Sequence, residues 1–545
     1  MSRFNRRGAR PATGSPVATT GERATTHEGG AGHLRDTRSE LFLLAVGNFV
    51  GTDAFYERGE QRDDRYAQLI RRLAVTDPDW CTGFLRWLRT GAHMRTASLV
   101  GAAEFTKARL EAGAAGHSRQ VVDSVLQRAD EPGEFLGYWM STYGRKLPKP
   151  VKRGVADAVQ RLYDERSLLR YDTDSKGYRF GDVLNLVHPS PAADKPWQGD
   201  LFQHALDRRM KRDESIPATL PVLRASRMLT SLPVQERRAY VRDPTLVTSP
   251  GGLAGAGFTW ERLAGWLQGP MDAAAWEAVI PSMGLMALAR NLRNFDEAGV
   301  SDAVAARICA RFADPEQVAR SRMFPFRWWA AYKHAPSLRW GHALEQALGH
   351  SLANVPRLTG STLILVDRSP SMFPGFGFST PNRSDITLAE QAAVFGSALA
   401  LRAEKPTLVE FGGDSREIDV PRGGSVLRLI ERYGQIGGTD IPTAVKKHGA
   451  AHDRIVIVTD EQSRPGWLPS NMSGHGGMRE TEIDALVPKD VPVYLWNMAG
   501  YKAGAMPSGT GNRHAMGGLT DQAFRAVPLL EAGRDATWPW EDRRA

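Results

Sequence analysis

The stretch Ser361–Met372 reads STLILVDRSPSM. Its short apolar run, Leu363, Ile364, Leu365 and Val366, lacks helical spacing and is bounded by turn formers. That pattern is a buried strand of a parallel sheet. Asp367, Ser369 and Ser371 then follow at alternate positions, at the carboxyl end of the strand, where open α/β sheets place their ligands. One carboxylate and two hydroxyls can converge there on a single point. Hard oxygen donors with little formal charge suit Mg²⁺ or Mn²⁺. Read alone, the same residues equally make a helix cap and a turn.

Outward from this strand the pattern alternates. A helix is expected from about Thr387 to Arg402, with Glu390 at a capping-box position. Thr407–Gly412 (TLVEFG) reads as a strand, VLRLIERYG and IPTAVKKHGA as helices, Arg454–Asp460 (RIVIVTD) as a strand, and Val491–Met498 as a last central strand. Alternating βαβ units predict a mostly parallel, doubly wound α/β sheet. Two more oxygen donors emerge at its loop ends, Thr439 in GQIGGTDIP and Asp460. Loops after neighbouring strands share one edge, so Asp367, Ser369, Ser371, Thr439 and Asp460 are expected to surround one divalent cation. The Gly-rich stretches GFGFST, SGHGG and SGTGNRHAMGG read as flexible loops near that edge, with His475 and His514 as solvent-exposed loop histidines.

The set D-x-S-x-S, Gly-Gly-Thr-Asp and strand-Thr-Asp resembles the metal-ion-dependent adhesion site of von Willebrand factor A domains. The resemblance implies that all five residues ligate Mg²⁺ or a related ion.

Before Ser361 strand-like alternation is nearly absent. Amphipathic segments such as RYAQLIRRLAV, DWCTGFLRWLRTGAH and RQVVDSVLQRA recur to about Gly349, separated by short Pro, Gly or Asp breaks. Such helices are expected to stack as an irregular, HEAT-like α-solenoid, with a compact helical domain as the alternative. Residues 1–32 carry almost no large apolar side chains and are expected to be a disordered arm. The division is then 1–32, a helical 33–356 and an α/β 357–545.

The chain carries a net charge of +9, yet residues 361–545 hold 20 Lys and Arg against 22 Asp and Glu, so residues 1–360 carry +11. A basic region of that size points to a polyanionic partner. Arg145, Lys149, Lys152 and Arg153 gather at a turn and a helix start, where cations oppose the helix dipole. Phosphate binding accounts for them; a merely solvated face is the bland alternative. Arg170, Lys176 and Arg179 interleave with Tyr171, Tyr178 and Phe180, the mixture that unpaired bases and phosphates require. A third basic knot, Arg208, Arg209, Lys211 and Arg212, lies at a helix end, where cations are favoured anyway. Two cysteines fit a reducing, cytoplasmic setting. No apolar run reaches the roughly 20 residues of a membrane span. No phosphate-binding loop, H-E-x-x-H or G-x-S-x-G occurs.

SLLRYDTDSKGYRFGDVLNLVHPSP, IPSMGLMALARNLRNFDEAG, SRMFPFRWWAAY and GTDAFYE together resemble the Ro ribonucleoprotein family, in the expected order over about residues 35–355. The resemblance implies a TROVE domain, a ring of HEAT-like helices, followed by the von Willebrand factor A domain. It implies that Y-like small RNA binds the outer surface, single-stranded 3′ ends of misfolded RNA enter the ring, and a 3′ exoribonuclease is tethered. His188 aligns with the family's outer-surface His. The basic residues upstream of it do not align and stand on charge and proximity alone. The expected protein is monomeric and not an enzyme. One competing reading is a metal-dependent ribonuclease using Asp367 and Asp460, which lacks an evident general base. Another is an adhesion or scaffold protein whose helical part binds protein.

Overall fold

The computed structural model describes residues 12–47, 54–212, 215–352, 355–373, 386–421, 424–463, 482–518 and 521–541. Between Thr37 and Ser351 it holds 21 α-helices among the described residues. Most are amphipathic: Lys149–Leu162 buries Val151, Val155, Ala158 and Val159, spaced at three and four residues. Helix packs on helix in sequence order, and two apolar cores result. One gathers residues from Leu41 to Leu223, the other begins at Leu229 and continues into the α/β part.

The C-terminal part is a six-stranded sheet. Its strands are β3 (Leu358–Asp367), β4 (Ala403–Phe411), β5 (Ser415–Ile418), β6 (Arg454–Thr459), β7 (Val493–Asn497) and β9 (Arg513–Gly517), in the order β5-β4-β3-β6-β7-β9. All pairs are parallel except β4 with β5. The capping box expected on Leu388–Arg402 is present, between Thr387 and Glu390.

Three expectations are corrected. The N-terminal arm is not disordered over its described part. β1 (Thr19–Thr25) and β2 (Ala31–Arg35) form an antiparallel hairpin, and β2 adds to β8 (Ala503–Gly504). The composition argument failed because this segment needs no core of its own. It satisfies its backbone on an existing strand and buries one ion pair, Arg35 with Glu461, each side chain 1% exposed. Residues 1–11 lie outside the described residues.

Secondly, SGTGNRHAMGG is not a flexible loop throughout, because Arg513–Gly517 is a fully buried strand. Arg513 is tolerated there because its guanidinium reaches Asp484 at 2.7 Å and the Val487 and Val491 carbonyls at 2.8 and 2.9 Å. Thirdly, His514 is buried and stacks on Tyr494 at 5.2 Å. His475, SGHGG and GFGFST fall outside the described residues.

Burial pushes the His514 imidazole down to about 4. Unfolded, it would bind a proton near pH 6.5. Between those values the unfolded chain binds more protons than the folded one, so stability falls as pH drops from about 6.5 to 4. The cost is on the order of 3 kcal/mol. Thermal unfolding of His514→Phe alongside the wild type is expected to show a shallower acid decline.

Both ends of the helical array return to the sheet. The first helix, Thr37–Gly47, packs on β9, with the Gly517 Cα facing Leu43 and Val46. Trp538 and Trp540, near the C-terminus, insert among Phe42, Trp80, Phe84 and Trp87. Gly83 makes room for the Trp540 ring, since a Cβ there would lie 2.5 Å from it. At the far end the helix Pro325–Lys333 contacts Leu388–Arg402, with Lys333 paired to Glu390 at 2.6 Å. The α/β unit thereby closes the helical array on itself.

Candidate functional site

Of the five expected metal ligands, Asp367, Ser369, Ser371 and Asp460 lie together at the carboxyl edge of the sheet, and Thr439 sits on a loop beside it. β3 and β6 are neighbours in register from Thr362↔Arg454 to Val366↔Val458, so Asp367 and Asp460 leave adjacent strand ends. Ser369 and Ser371 lie on the turn after β3, with hydroxyls 3.1 Å apart. Thr439 arrives on a loop stitched to the ends of β3 and β4: Ile436 N–H donates to the Arg368 carbonyl at 3.1 Å and Asp440 N–H to Gly412 at 2.8 Å. Glycine is required there, because a Cβ on Gly412 would stand 2.4 Å from the Ile436 carbonyl oxygen. All five side chains are at most 4% exposed.

The donors are held in place. Asp367 Oδ1 accepts from Ser369 N–H at 2.8 Å, and Oδ2 from the Thr459 hydroxyl at 2.6 Å. Asp460 Oδ1 accepts from Gln462 N–H at 3.2 Å, while Oδ2 is buried without a partner. Burial and the nearby Asp367 charge push the Asp460 carboxyl up to about 7, and burial raises Asp367 as well. Two buried carboxylates with no cation between them repel each other. Among the described residues no group of three or more His, Cys, Asp and Glu side chains converges. A cation here would therefore be held by two carboxylates and three hydroxyls. The orphaned Asp460 oxygen and the paired seryl hydroxyls fit a hard divalent ion that retains waters.

The support for this edge comes from far away in sequence. Thr26 Oγ1 donates to the Ser463 carbonyl at 2.5 Å, His27 N–H to Gln462 Oε1 at 3.0 Å, and Arg35 pairs with Glu461. The N-terminal hairpin thus grips the loop that follows Asp460. Tyr56 stacks on His27 at 4.9 Å and donates to Glu28 at 2.5 Å. The Ser371 hydroxyl and Asp460 carboxylate lie close enough to act on the Tyr56 phenol, which burial raises well above its usual range. Nothing in the spacing of Tyr56, Ser371 and Asp460 signals this contact.

The expected RNA-binding residues fall into two groups. Arg145, Lys149, Lys152 and Arg153 cluster at the start of Lys149–Leu162, all but Lys152 exposed. Among the described residues none of the four has an ion-pair or side-chain hydrogen-bond partner. Pro148 at the N-cap supplies no side-chain cap and Pro150 carries no N–H, so the Lys149 and Val151 N–H groups stay available at the helix start.

His188 is elsewhere. It is exposed, and it ends the helix Phe180–Val187 in the left-handed conformation at φ 50°. Gln160 reaches the Ser190 carbonyl at 3.1 Å, which places His188 beside the opposite end of Lys149–Leu162. At 1.5 Å per residue that is about 16 Å from Lys149. Arg170 lies on the next helix, Glu165–Tyr171, its guanidinium 5.2 Å from the centre of the Tyr171 ring. Arg128 approaches the same ring at 5.3 Å, and sequence reading missed it because it lies 43 positions away.

Two expected members are engaged within the fold. Lys176 pairs with Asp130 at 3.3 Å and Glu134 at 3.2 Å. Arg179, 14% exposed, pairs with Asp172 at 2.9 Å and Asp174 at 2.6 Å. Its charge is matched by two carboxylates, so it anchors the turn before Phe180.

A family model described as TROVE domain matches residues 256–360. No curated protein matches the chain. A crystal structure of the Ro (RSR) protein of Deinococcus radiodurans superposes with a TM-score of 0.60 at 17% identity, covering 90% of this chain and 100% of that one. No described helix is long and apolar enough to cross a membrane. The chain thus shares the fold of that Ro protein over 90% of its length, and its residues 256–360 match the TROVE-domain pattern.

Proposed function

We propose that this chain is an RNA-binding protein of the Ro type, acting as an RNA chaperone and quality-control adaptor. The observation that carries the reading is the cluster Arg145, Lys149, Lys152 and Arg153, four cations without carboxylate partners at an uncapped helix start. The Lys149 and Val151 N–H groups together with these side chains would engage a phosphate. Together with Arg170 on the next helix and His188 at the other end of this one, they offer a long outer face to a Y-like small RNA. Single-stranded 3′ ends of misfolded RNA would enter the ring, sorted from structured RNA by width.

Sequencing the RNA that copurifies with the protein tests this reading. Small structured RNAs and 3′-tailed fragments are expected; absence of enriched RNA would contradict it. His188→Ser is expected to weaken stem-loop binding several-fold at an unchanged unfolding midpoint. Its left-handed backbone costs little for a small residue, so the fold should survive. Unchanged affinity would remove His188 from the RNA face.

Mg²⁺ at the sheet edge would be held by Asp367, Ser369, Ser371, Thr439 and Asp460. It would present an incompletely filled coordination shell to a partner's carboxylate or phosphate, such as one on a 3′ exoribonuclease. Mg²⁺ at 100 times its Kd is expected to stabilise the protein by about 2.7 kcal/mol. Asp367→Asn keeps one acceptor oxygen for the Ser369 N–H, turns the other position into a donor toward the Thr459 hydroxyl, and removes one of two repelling charges. Thermal melts should therefore show it no less stable than wild type without Mg²⁺, and unresponsive to Mg²⁺. A wild-type-sized Mg²⁺ response in this variant would rule the site out.

A further inference from the structure

A cavity of about 470 Å³ opens where the two helical cores meet. The helix Pro221–Thr230 crosses the seam, with Leu223 in one core and Leu229 in the other. From the same helix Ser226, Arg227 and Thr230 line the cavity. The helix Gln198–Met210 contributes His204 and Arg208, and Trp260–Leu267 contributes Arg262.

Arg262 is the unusual group. It is half-buried, and its Nη2 donates to Ser226 Oγ at 2.6 Å while Nη1 is buried with no acceptor. The Phe258 ring, 4.4 Å from its Cζ, gives some compensation. Among the described residues no carboxylate pairs with it. The two carboxylates that line the cavity are committed elsewhere. Asp172 holds Arg179 at 2.9 Å and the Phe180 N–H at 2.8 Å, with Arg208 Nη1 at 3.8 Å, and Asp174 holds Arg179 at 2.6 Å. Burial, and then the charge of Arg208, pull the Arg262 guanidinium below its usual range.

A guanidinium withdrawn from water and set near a second one is costly unless an anion completes it. Guanidinium forks match tetrahedral oxyanions better than single acceptors, and the Ser226 and Thr230 hydroxyls add donors. We propose that this cavity binds a phosphate group, held by Arg262 and Arg208 with Arg227 at its rim. The volume admits either a small phosphorylated ligand or one phosphate of a single strand. The basic knot that seemed to be only a favoured helix end thus acquires a use through Arg208. The inference stands apart from the outer face, since none of its residues lies there.

The test uses the full chain, Arg262→Met and Arg208→Gln, with two probes: inorganic phosphate by calorimetry, and fluorescein-labelled hexauridylate by anisotropy. At least one probe should lose tenfold or more in affinity in both variants. Loss for phosphate alone identifies a small phosphorylated ligand, and loss for hexauridylate identifies an RNA strand. Arg262→Met should also unfold at or above the wild-type midpoint, because a side chain kept for a ligand is not needed for the fold. If it fails to fold, Arg208→Gln decides. Unchanged affinity for both probes would overturn the proposal.

Discussion

Arg35→Ala is expected to destabilise the protein by about 3–5 kcal/mol, the usual cost of stranding one partner of a buried ion pair. Glu461 and Arg35 are each 1% exposed. Glu461 also accepts from Asn497 Nδ2 at 2.7 Å and Ala505 N–H at 2.8 Å, which satisfy its hydrogen bonds but not its charge. Arg35 in turn reaches the Tyr501 carbonyl at 3.0 Å. Losing it would loosen the hairpin from β8 and release the grip on the loop after Asp460. Urea unfolding followed by tryptophan fluorescence measures the loss. Limited proteolysis should show new cleavage within Thr19–Arg35. A loss below about 1 kcal/mol with an intact hairpin would mean that neutral donors suffice for Glu461.

The second large effect concerns RNA. Lys149→Ala, Lys152→Ala and Arg153→Ala together are expected to lower affinity for a 3′-tailed stem-loop about 100-fold. Three phosphate contacts at about 1 kcal/mol each give that factor. The fold should be untouched. These side chains lack internal partners among the described residues, and the buried face of their helix is Val151, Val155, Ala158 and Val159. Removing cations from a helix N-terminus also relieves the dipole. Arg179→Ala should do the reverse, harming stability more than RNA binding, because it leaves buried Asp172 short of a partner.

The sheet, and the meeting of Asp367, Ser369, Ser371 and Asp460 at its edge, were legible because the signal is local. Apolar strands, Gly-Gly-Thr-Asp and strand-final Asp residues each declare themselves within a dozen positions. The amphipathic helices were legible for the same reason. What escaped were pairings settled at long range. β1 and β2 are polar strands that exist only because β8 offers them an edge. Arg513 and His514 read as loop because no short window shows what buries them. Tyr56, held by Glu28, reaches the Ser371 and Asp460 edge of the sheet across more than 300 positions. Charge was the least readable feature: Arg179 and Lys149 look alike as letters, yet one is matched by two carboxylates and the other by none.

An unpaired basic face is expected to bind RNA phosphates. Filter binding of a 3′-tailed RNA across a salt series, with the wild type and the Lys149/Lys152/Arg153 triple alanine variant, tests it most directly. Wild-type affinity should fall linearly in log–log form, and the variant's slope should be shallower by about 2, roughly 0.7 for each lost phosphate contact. A variant with wild-type affinity and slope, or a wild type that shows no salt dependence, would contradict the account.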